Sequence, residues 1–545
     1  MGKDVCQRSQ LAGCRDQCEC EVPQRTISFW SGTGRSHPAK LILDKGKPEK
    51  TQGRKATGPR FLRDAACDAT KDPRSPGYRC YRFLEGRSMN SIFMFVRMGF
   101  LVIAMSLCTS CGGNGGSASD RQPPPPQRTW YKDADGDGYS DGMSVLAANR
   151  PAGHYLASEL TATNGDCNDS EASAHPGGTE IDADGIDQDC NGFEISGPEE
   201  VVYDWTTDRC GDWDIPNFPA RAFVDSSGQV QLFFSYNGPR RLIGPDLNSL
   251  TRDCRFVMQS HRDNNPAMFN DEEWIGATYT EDGQTIYAII HNAWHACSSM
   301  ECWYNGLTLA VSTDGGLSYQ HPVAPPLHVV AASSLQYPAG AGPHGIFHPS
   351  SIVKGNDGYY YAMVNRIRNP QPDVGEGWTC LIRTPDLADP DAWRFWNGRA
   401  YDGMIVNPYT DAVVDPSEHD CTAIDYDDIQ DLTHSLTYSE YLGRYILVAH
   451  SFDPASGAHG FFISYSDDLV DWTHRELVLE KDLPWSVQDP NAPFYAVPSL
   501  LDPESSSRNF ETVGKTAYVY YMRNNRGSGG LDHDMLRIPI EFFNP

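Results

Sequence analysis

Five short apolar runs in residues 200–545 constrain the fold most strongly. They are rich in Val, Ile, Tyr and Phe, are bounded by Gly, Asp, Asn and Pro, and begin roughly 50–85 residues apart. We see no convincing amphipathic helix longer than two turns among them. Four-stranded units repeated at such a spacing are typical of a β-propeller, so we predict an all-β domain with five blades; six blades are the alternative. The runs are Ala222–Ser235, Trp274–His291, Ser350–Val364, Ser435–Ala449 and Val497–Met522.

Three turn motifs follow predicted strands of the same region. The segment from Ser312 to Tyr319 resembles the Asp-box turn of sialidase-like propellers, with Tyr in place of Trp. The segments 384–393 and 466–472 resemble the S-x-D-L-x-x-W turn of glycoside hydrolase families 43 and 32. In these turns an Asp caps backbone N–H groups and the aromatic ring packs between blades, so we expect a structural role. The resemblance implies a carbohydrate-active propeller over residues 200–545.

An Asp-rich segment precedes this domain. Four Asp residues stand at positions 1, 3, 5 and 9 of a loop with Gly138 at position 6, as in a calcium-binding loop. Tyr139 at position 7 would ligate through its carbonyl. Position 12 is Ser144, so a second acidic cluster must supply the missing ligands. The predicted ligands are Asp133, Asp135, Asp137, Tyr139, Asp141, Asp166, Asn168, Asp169, Asp182, Asp184, Asp187 and Asp189.

The Asp-rich segment resembles a known class of metal-binding repeats. WYKDADGDGYSDG and DGIDQDCNG are similar to repeats of bacterial surface proteins and, more distantly, to thrombospondin type 3 repeats. We therefore predict a calcium-binding module over residues 130–196, closed by a disulfide between Cys167 and Cys190. Calcium is expected to stabilise the module and to take no part in a reaction. A solvated acidic linker is the alternative.

Residues 89–111 are typical of an export signal. A short apolar run from Met98 to Leu107 is followed by small residues and Cys111, a pattern that resembles a bacterial lipoprotein signal; Cys108 is the alternative acceptor. We expect a lipid anchor on Cys111, a Gly/Ser/Pro-rich tether over 112–129, and localisation at the outer membrane or cell surface. Residues 1–88 carry 18 Lys+Arg and 10 Asp+Glu. We interpret them as a gene-model artefact, or alternatively as a disordered basic extension.

The number of cysteines indicates the compartment of the protein, and the net charge limits its partners. Eight cysteines follow the predicted acceptor, which suggests disulfides in an exported protein. Proximity in sequence suggests the pairs 167–190, 210–254, 297–302 and 380–421. A net charge of −28 argues against nucleic acid and anionic lipid surfaces as partners. We expect contact with a membrane through the lipid anchor only, and a polysaccharide or oligosaccharide as partner.

Polar residues near the predicted strand ends supply a candidate active site. Hydrolysis of a glycosidic bond needs two carboxyl groups. The family 43 resemblance implies a base at the start of the first blade, a role for Asp214, and an acid on a later blade, a role for Glu273 or Glu418. Asp271 would be a third carboxylate. Further candidates are His344 for catalysis and Arg221, His291, His295, His348, Arg366, Arg368, His434 and Arg523 for substrate binding.

Three functions stay open at this point. A glycoside hydrolase is favoured; a polysaccharide lyase would use the same His and Arg residues on a uronic acid; a non-catalytic propeller would bind a glycan or a protein. The segment from His291 to His295 does not indicate a zinc protease, because no Glu follows the first His and the run is strand-like.

Overall fold

The computed structural model describes residues 125–544 except 237, 296–301, 338–341 and 369–376. The predicted signal with Cys111, the basic N-terminal segment, most of the tether and Cys297 lie outside the described residues. The described chain is all-β, as predicted, with two four-residue α-helices, α1 (Trp205–Asp208) and α2 (Tyr426–Ile429). Within these ranges no helix is both long and apolar enough to span a bilayer.

The Asp-rich segment is built mainly from loops around a small sheet. Strand β1 is the central strand of three, and it pairs antiparallel with both neighbours. A short 3-10 helix, Ala157–Glu159, follows the sheet. Gly136, Gly138 and Gly142 all have positive φ, which lets the chain bend between successive Asp side chains. The three strands are β1 (Arg128–Lys132), β2 (Ser144–Ala147) and β3 (His154–Tyr155).

The rest of the described chain consists mainly of antiparallel strands. These strands form four sheets, of 10, 5, 5 and 4 strands, and we divide them into five groups in chain order. Two further strands, β4 (Phe193–Ile195) and β5 (Glu200–Tyr203), precede them. The groups are: first, β6 (Pro216–Val224), β7 (Val230–Ser235), β8 (Arg241–Gly244) and β9 (Thr251–Asp253); second, β10 (Glu272–Tyr279), β11 (Ile286–Trp294), β12 (Cys302–Ser312) and β13 (Val329–Ala331); third, β14 (Gly342–Phe347), β15 (Val353–Lys354), β16 (Tyr360–Ile367), β17 (Gly377–Thr384), β18 (Arg394–Phe395) and β19 (Gly403–Met404); fourth, β20 (Ser435–Ser439), β21 (Arg444–Phe452), β22 (His459–Ser466) and β23 (Glu476–Glu480); fifth, β24 (Phe494–Leu501), β25 (Thr512–Val513), β26 (Thr516–Asn524) and β27 (His533–Phe542).

Pairings between distant segments join the groups. Strand β27 at the C-terminal end pairs with β4 and β5, so the fifth group is completed by residues that precede the first. Strands β12 and β14 pair in parallel and merge the second and third groups into one sheet. Strand β25 pairs with β20 of the fourth group rather than with its own. The first strands also meet, because β6 contacts both β10 and β24, and β20 contacts β24.

Arg221 on β6 marks the place where the groups converge. Its guanidinium donates to the carbonyl oxygens of Ala220, Gly276, Pro349 and His434, at 2.6–3.1 Å, which belong to the first four groups. The side chain is fully buried, and burial lowers its pKa to about 9, so it stays charged at neutral pH. One buried cation thus links the first four strand groups through their backbone carbonyls.

The three turn motifs have the structural role predicted for them. Asp314 Oδ1 accepts from Ser318 N at 3.0 Å, and Asp468 Oδ1 accepts from the backbone N–H groups of Val470 and Asp471 at 2.9 Å. The associated rings are buried: those of Tyr319, Trp393 and Trp472.

Three of the predicted disulfides are confirmed: Cys167–Cys190, Cys210–Cys254 and Cys380–Cys421.

Candidate functional site

A continuous chain of eight aromatic and imidazole rings connects the first four strand groups. Neighbouring centroids lie 4.2–5.9 Å apart. The two end rings, Trp213 and Trp485, are 44% and 38% exposed. The chain brings together three predicted binding residues, His291, His348 and His434. We call it the ring arc; its members in order are Trp213, Tyr236, Trp274, His291, His348, His434, His450 and Trp485.

The imidazoles of the ring arc are neutral at pH 7. Burial lowers the pKa of His348 to about 4 and that of His450 to about 3. Burial, followed by the neighbouring imidazoles, holds the pKa of His291 and His434 well below the usual range. A neutral imidazole offers one donor and one acceptor. The ring arc is therefore a row of uncharged rings, of which Trp274, His291 and His434 are buried.

Several buried polar atoms along the ring arc lack a partner. Asn305 Nδ2 donates to His291 Nε2 at 2.9 Å, so the imidazole proton of neutral His291 is on Nδ1. That Nδ1, together with Trp274 Nε1, Trp303 Nε1 and Asn270 Oδ1, is buried without a hydrogen bond among the described residues. Each such group costs about 1–3 kcal/mol.

The backbone at the ring arc is strained. His348 has a φ of +39°, and Val497, whose N–H donates to His450 Nδ1 at 3.2 Å, has a φ of +52°. Positive φ is unfavourable for residues with a Cβ, above all for a β-branched one. Strain of this kind concentrates at functional sites and is held in place by the surrounding structure.

Asp271 and His295 lie beside the ring arc. Asp271 Oδ2 accepts from His295 N at 3.2 Å, and the His295 ring lies 5.5 Å from that of Trp303. Trp303 contacts Phe347, which contacts His291 of the arc. Burial raises the pKa of Asp271, and this favours the protonated form. Among the predicted carboxylates, Asp271 is the one that these contacts connect to the arc.

A second carboxyl group, which sequence reasoning missed, is that of the half-buried Asp431. Its Oδ1 accepts from Asn365 Nδ2 at 2.8 Å, and Asn365 is the cross-strand partner of Phe347. Burial raises the pKa of Asp431. Asp431 has a φ of +65°, which marks it as unusual in the structure, but the sequence does not reveal this backbone conformation.

His344, Arg366 and Arg368 form a separate cluster in the third group. His344 Nε2 lies 2.9 Å from Ser333 Oγ, which also accepts from Arg366 Nη2 at 3.2 Å. Arg366 and Arg368 both face Asp420, at 2.8 and 3.7 Å. The single carboxylate of Asp420 thus faces both arginines and offsets one of their two charges.

Four other predicted site residues lie apart from the ring arc. Asp214 is buried and ion-paired with Arg252 on β9, which lowers its pKa despite the opposing effect of burial. Arg523 pairs with Asp534 at 2.9 Å and with Glu199 at 3.3 Å. Glu418 is exposed in the 3-10 helix Pro416–His419, and Glu273 is buried against His321.

Arg221, which was predicted to bind substrate, instead contacts the protein backbone. Its donors are directed at the four backbone carbonyls described above. The contacts found for Arg221 are those of a structural residue.

The first acidic centre gathers carboxylates from both Asp-rich clusters. Ligand atoms of Asp133, Asp135 and Asp137 lie within 4.8 Å of one another, as do those of Asp135, Asp166 and Asp169. Asp135 Oδ2, Asp137 Oδ2 and Asp166 Oδ2 are buried without a hydrogen bond among the described residues. Burial raises the pKa of Asp135 and Asp166, and the neighbouring carboxylates add to it. The donor set fits a hard divalent cation.

The second acidic centre consists of Glu180, Asp187 and Asp189, with ligand atoms within 4.8 Å. Glu180 Oε2 accepts from the N–H groups of Gln188 and Asp189, which leaves Oε1 buried and unpaired among the described residues. Burial, with the nearby Asp189 and Asp187, raises the pKa of Glu180 to about 7. Glu180 was not among the predicted ligands, although it stands between them in sequence.

The other predicted ligands have different contacts. Asp141 pairs with Lys132 at 2.8 Å, and Asn168 Oδ1 accepts from Ser170 Oγ. Asp184 accepts from Gln188 Nε2, and Asp182 is exposed. The Tyr139 ring stacks on His175 at 4.7 Å.

Comparison with known proteins agrees with the metal-binding segment. The Cu-binding MopE family, described as a metal-binding motif, matches residues 166–194. These residues hold the second acidic centre and part of the first. No curated protein matches the chain.

Similar solved structures come from carbohydrate enzymes. A thermostable family-43 glycoside hydrolase matches 61% of this chain and 96% of its own at 11% identity and a TM-score of 0.36. A xylan β-1,4-xylosidase from Bacillus halodurans matches 60% of this chain at 12% identity and 0.35, and just over half of its own length, 53%, is covered. The catalytic domain of a Coprinopsis cinerea GH62 α-L-arabinofuranosidase matches 63% of this chain and 95% of its own at 8% identity and 0.35. The chain is thus similar to a metal-binding motif over residues 166–194 and, at low identity, to these hydrolase structures over more than half of its length.

Proposed function

We propose that the protein is carbohydrate-active and that the five strand groups are the blades of a propeller with its glycan site at the ring arc. The observation that carries this proposal is the ring arc itself, with exposed Trp rings at both ends and unpaired buried donors along it. Sites for organic ligands combine apolar and aromatic walls with a few placed polar groups. A sugar offers both a C–H face for stacking and hydroxyl groups for hydrogen bonds.

We propose glycoside hydrolysis as the reaction, with Asp271 as the proton donor. Its pKa is raised by burial, which is the property that a general acid needs. We assign the second carboxyl group required by such a reaction to Asp431, which accepts a hydrogen bond from Asn365, the cross-strand partner of Phe347. Elimination from a uronic acid has less support, because Arg221, Arg366 and Arg523 already face protein acceptors.

We propose calcium as the cation of both acidic centres. The donors are carboxylate oxygens, which suit calcium, whereas copper prefers imidazole and sulfur ligands. Bound calcium would offset the repulsion within each centre and hold the loops of the module together. We further propose export and lipid anchoring at Cys111, and the confirmed disulfides support an oxidising environment.

The reaction is tested by incubating the protein with neutral and acidic polysaccharides and weighing the products. Hydrolysis adds one water per cleavage. Asp271→Asn keeps the acceptor for His295 N but cannot donate the proton, so we expect a loss of about 10²-fold or more in kcat. Asp467→Asn, on a side chain that is 77% exposed, is the control and should retain activity.

Other outcomes would change the proposal. Unsaturated products would replace hydrolysis by elimination. Binding of a glycan without any cleavage product would indicate a glycan-binding protein and not an enzyme. Full activity in Asp271→Asn would remove Asp271 from the mechanism.

A further inference from the structure

Two histidines and a glutamate meet away from the ring arc. Glu273 is on β10, His261 is in the loop that precedes this strand, and His321 follows the Asp-box turn. One ligand atom from each lies within 4.8 Å of the other two. Glu273 neighbours Trp274 of the arc, and adjacent residues of a strand point to opposite faces. The cluster is therefore separate from the proposed glycan site.

The two ring nitrogens of His321 have different neighbours. Its Nδ1 lies 2.8 Å from the carbonyl oxygen of Leu309, which can only accept, so Nδ1 carries a proton. Its Nε2 lies 2.7 Å from Glu273 Oε1. Two acceptors at this distance need a proton or a metal ion to bridge them. Metal-binding histidines typically donate their other ring N–H to a carbonyl, as His321 does.

The remaining groups of the cluster also favour a cation. Glu273 is fully buried, and its Oε2 lacks a hydrogen bond among the described residues. His261 Nδ1 lies 3.7 Å from that oxygen. His328 packs edge-on against His321, with ring centroids 4.2 Å apart.

We propose that His261, Glu273 and His321 bind one zinc ion. Two imidazole nitrogens and one carboxylate oxygen form a typical zinc donor set. Zinc–nitrogen and zinc–oxygen bonds of about 2.0–2.2 Å in tetrahedral geometry place ligand atoms ~3.3 Å apart. Zinc binding would therefore draw His261 closer than 3.7 Å to Glu273 Oε2 and widen the 2.7 Å separation between His321 Nε2 and Glu273 Oε1. The His261 side chain is 57% exposed, so it can rotate and leaves the fourth position open to solvent.

The test uses Co²⁺ as a visible substitute for zinc on the full chain. Calcium is added in excess to fill the carboxylate centres, and bound Co²⁺ is measured by elemental analysis and visible absorption. Four-coordinate Co²⁺ with nitrogen ligands absorbs far more strongly than Co²⁺ in an all-oxygen site. We expect one strongly absorbing Co²⁺ per chain, which Zn²⁺ displaces. His261→Ala should weaken binding by about tenfold or more, and Glu273→Gln should do the same.

His474→Ala is the matched control, because that side chain is 60% exposed and pairs with Asp428 outside the cluster. It should leave Co²⁺ binding unchanged. Since His261 is exposed, His261→Ala should fold normally, and its near-UV circular dichroism checks this. Absence of the strong absorption, or its full retention in both cluster variants, would overturn the zinc site and leave an imidazolium–carboxylate pair.

Discussion

Replacing Arg221 with Met is expected to destabilise the strand domain by about 3 kcal/mol or more, because it leaves buried carbonyl oxygens without donors. The guanidinium binds carbonyls of Ala220, Gly276, Pro349 and His434, and no apolar side chain can replace these bonds. Removal of one partner from a buried polar network destabilises the fold by more than the intact network contributes to its stability, because the other partner stays buried and unpaired. Denaturant unfolding with a fluorescence readout measures the difference.

Two further variants at arginine positions sharpen this test. Arg221→Lys keeps the charge but not the planar fork that reaches several carbonyls at once, so it should fall between the wild type and Arg221→Met. Arg399→Met, at an exposed arginine, should change the free energy of unfolding little. A loss below about 1 kcal/mol for Arg221→Met would show that Arg221 does not hold the groups together.

Removal of calcium is expected to unfold the Asp-rich module while the strand domain stays folded. Without a cation, the carboxylates within each centre repel one another. Burial, together with this repulsion, raises the pKa of Asp135 and Asp166 in the first centre and of Glu180 in the second. A ligand present at 1,000 times its Kd stabilises the folded form by about 4 kcal/mol. Differential scanning calorimetry should show that the unfolding transition of the module lies at a lower temperature with chelator than with calcium. The transition of the strand domain should stay at the same temperature in both samples.

Two Asp variants locate that effect. Asp166→Asn, within the first centre, should reduce the shift between calcium and chelator. Asp182→Asn, at an exposed side chain outside both centres, should not. Identical melting curves with and without chelator would contradict a stabilising cation in the module.

Strand groups were predictable because their signal is local. Each apolar run overlaps at least two strands of one group; for example, Trp274–His291 covers most of β10 and of β11, whereas Ser350–Val364 misses β14 and covers β15 and part of β16. The parallel pairing of β12 with β14 was not predictable, since neither sequence run specifies its partner. The same holds for β25, which pairs with β20.

The candidate site was predictable in part. His291, His348 and His434 were predicted at strand ends, and the structure brings them together. Asp214 fitted its predicted role by position, but its ion pair with Arg252 depends on tertiary contacts. Asp431 and Glu180 were missed because burial, which sets their pKa, cannot be read from an acidic sequence.

Glycan affinity of variants at the two ends of the ring arc tests the central claim most directly. Trp213 and Trp485 are exposed, so their replacement by Ala should not disturb the core. Loss of one stacking ring is worth roughly 0.5–1.5 kcal/mol beyond its buried area. On immobilised polysaccharides we expect strong retention of the wild type, weaker retention of each variant, and wild-type retention of Tyr426→Ala, an exposed ring outside the arc. Equal retention of all four proteins would contradict a glycan site at the ring arc.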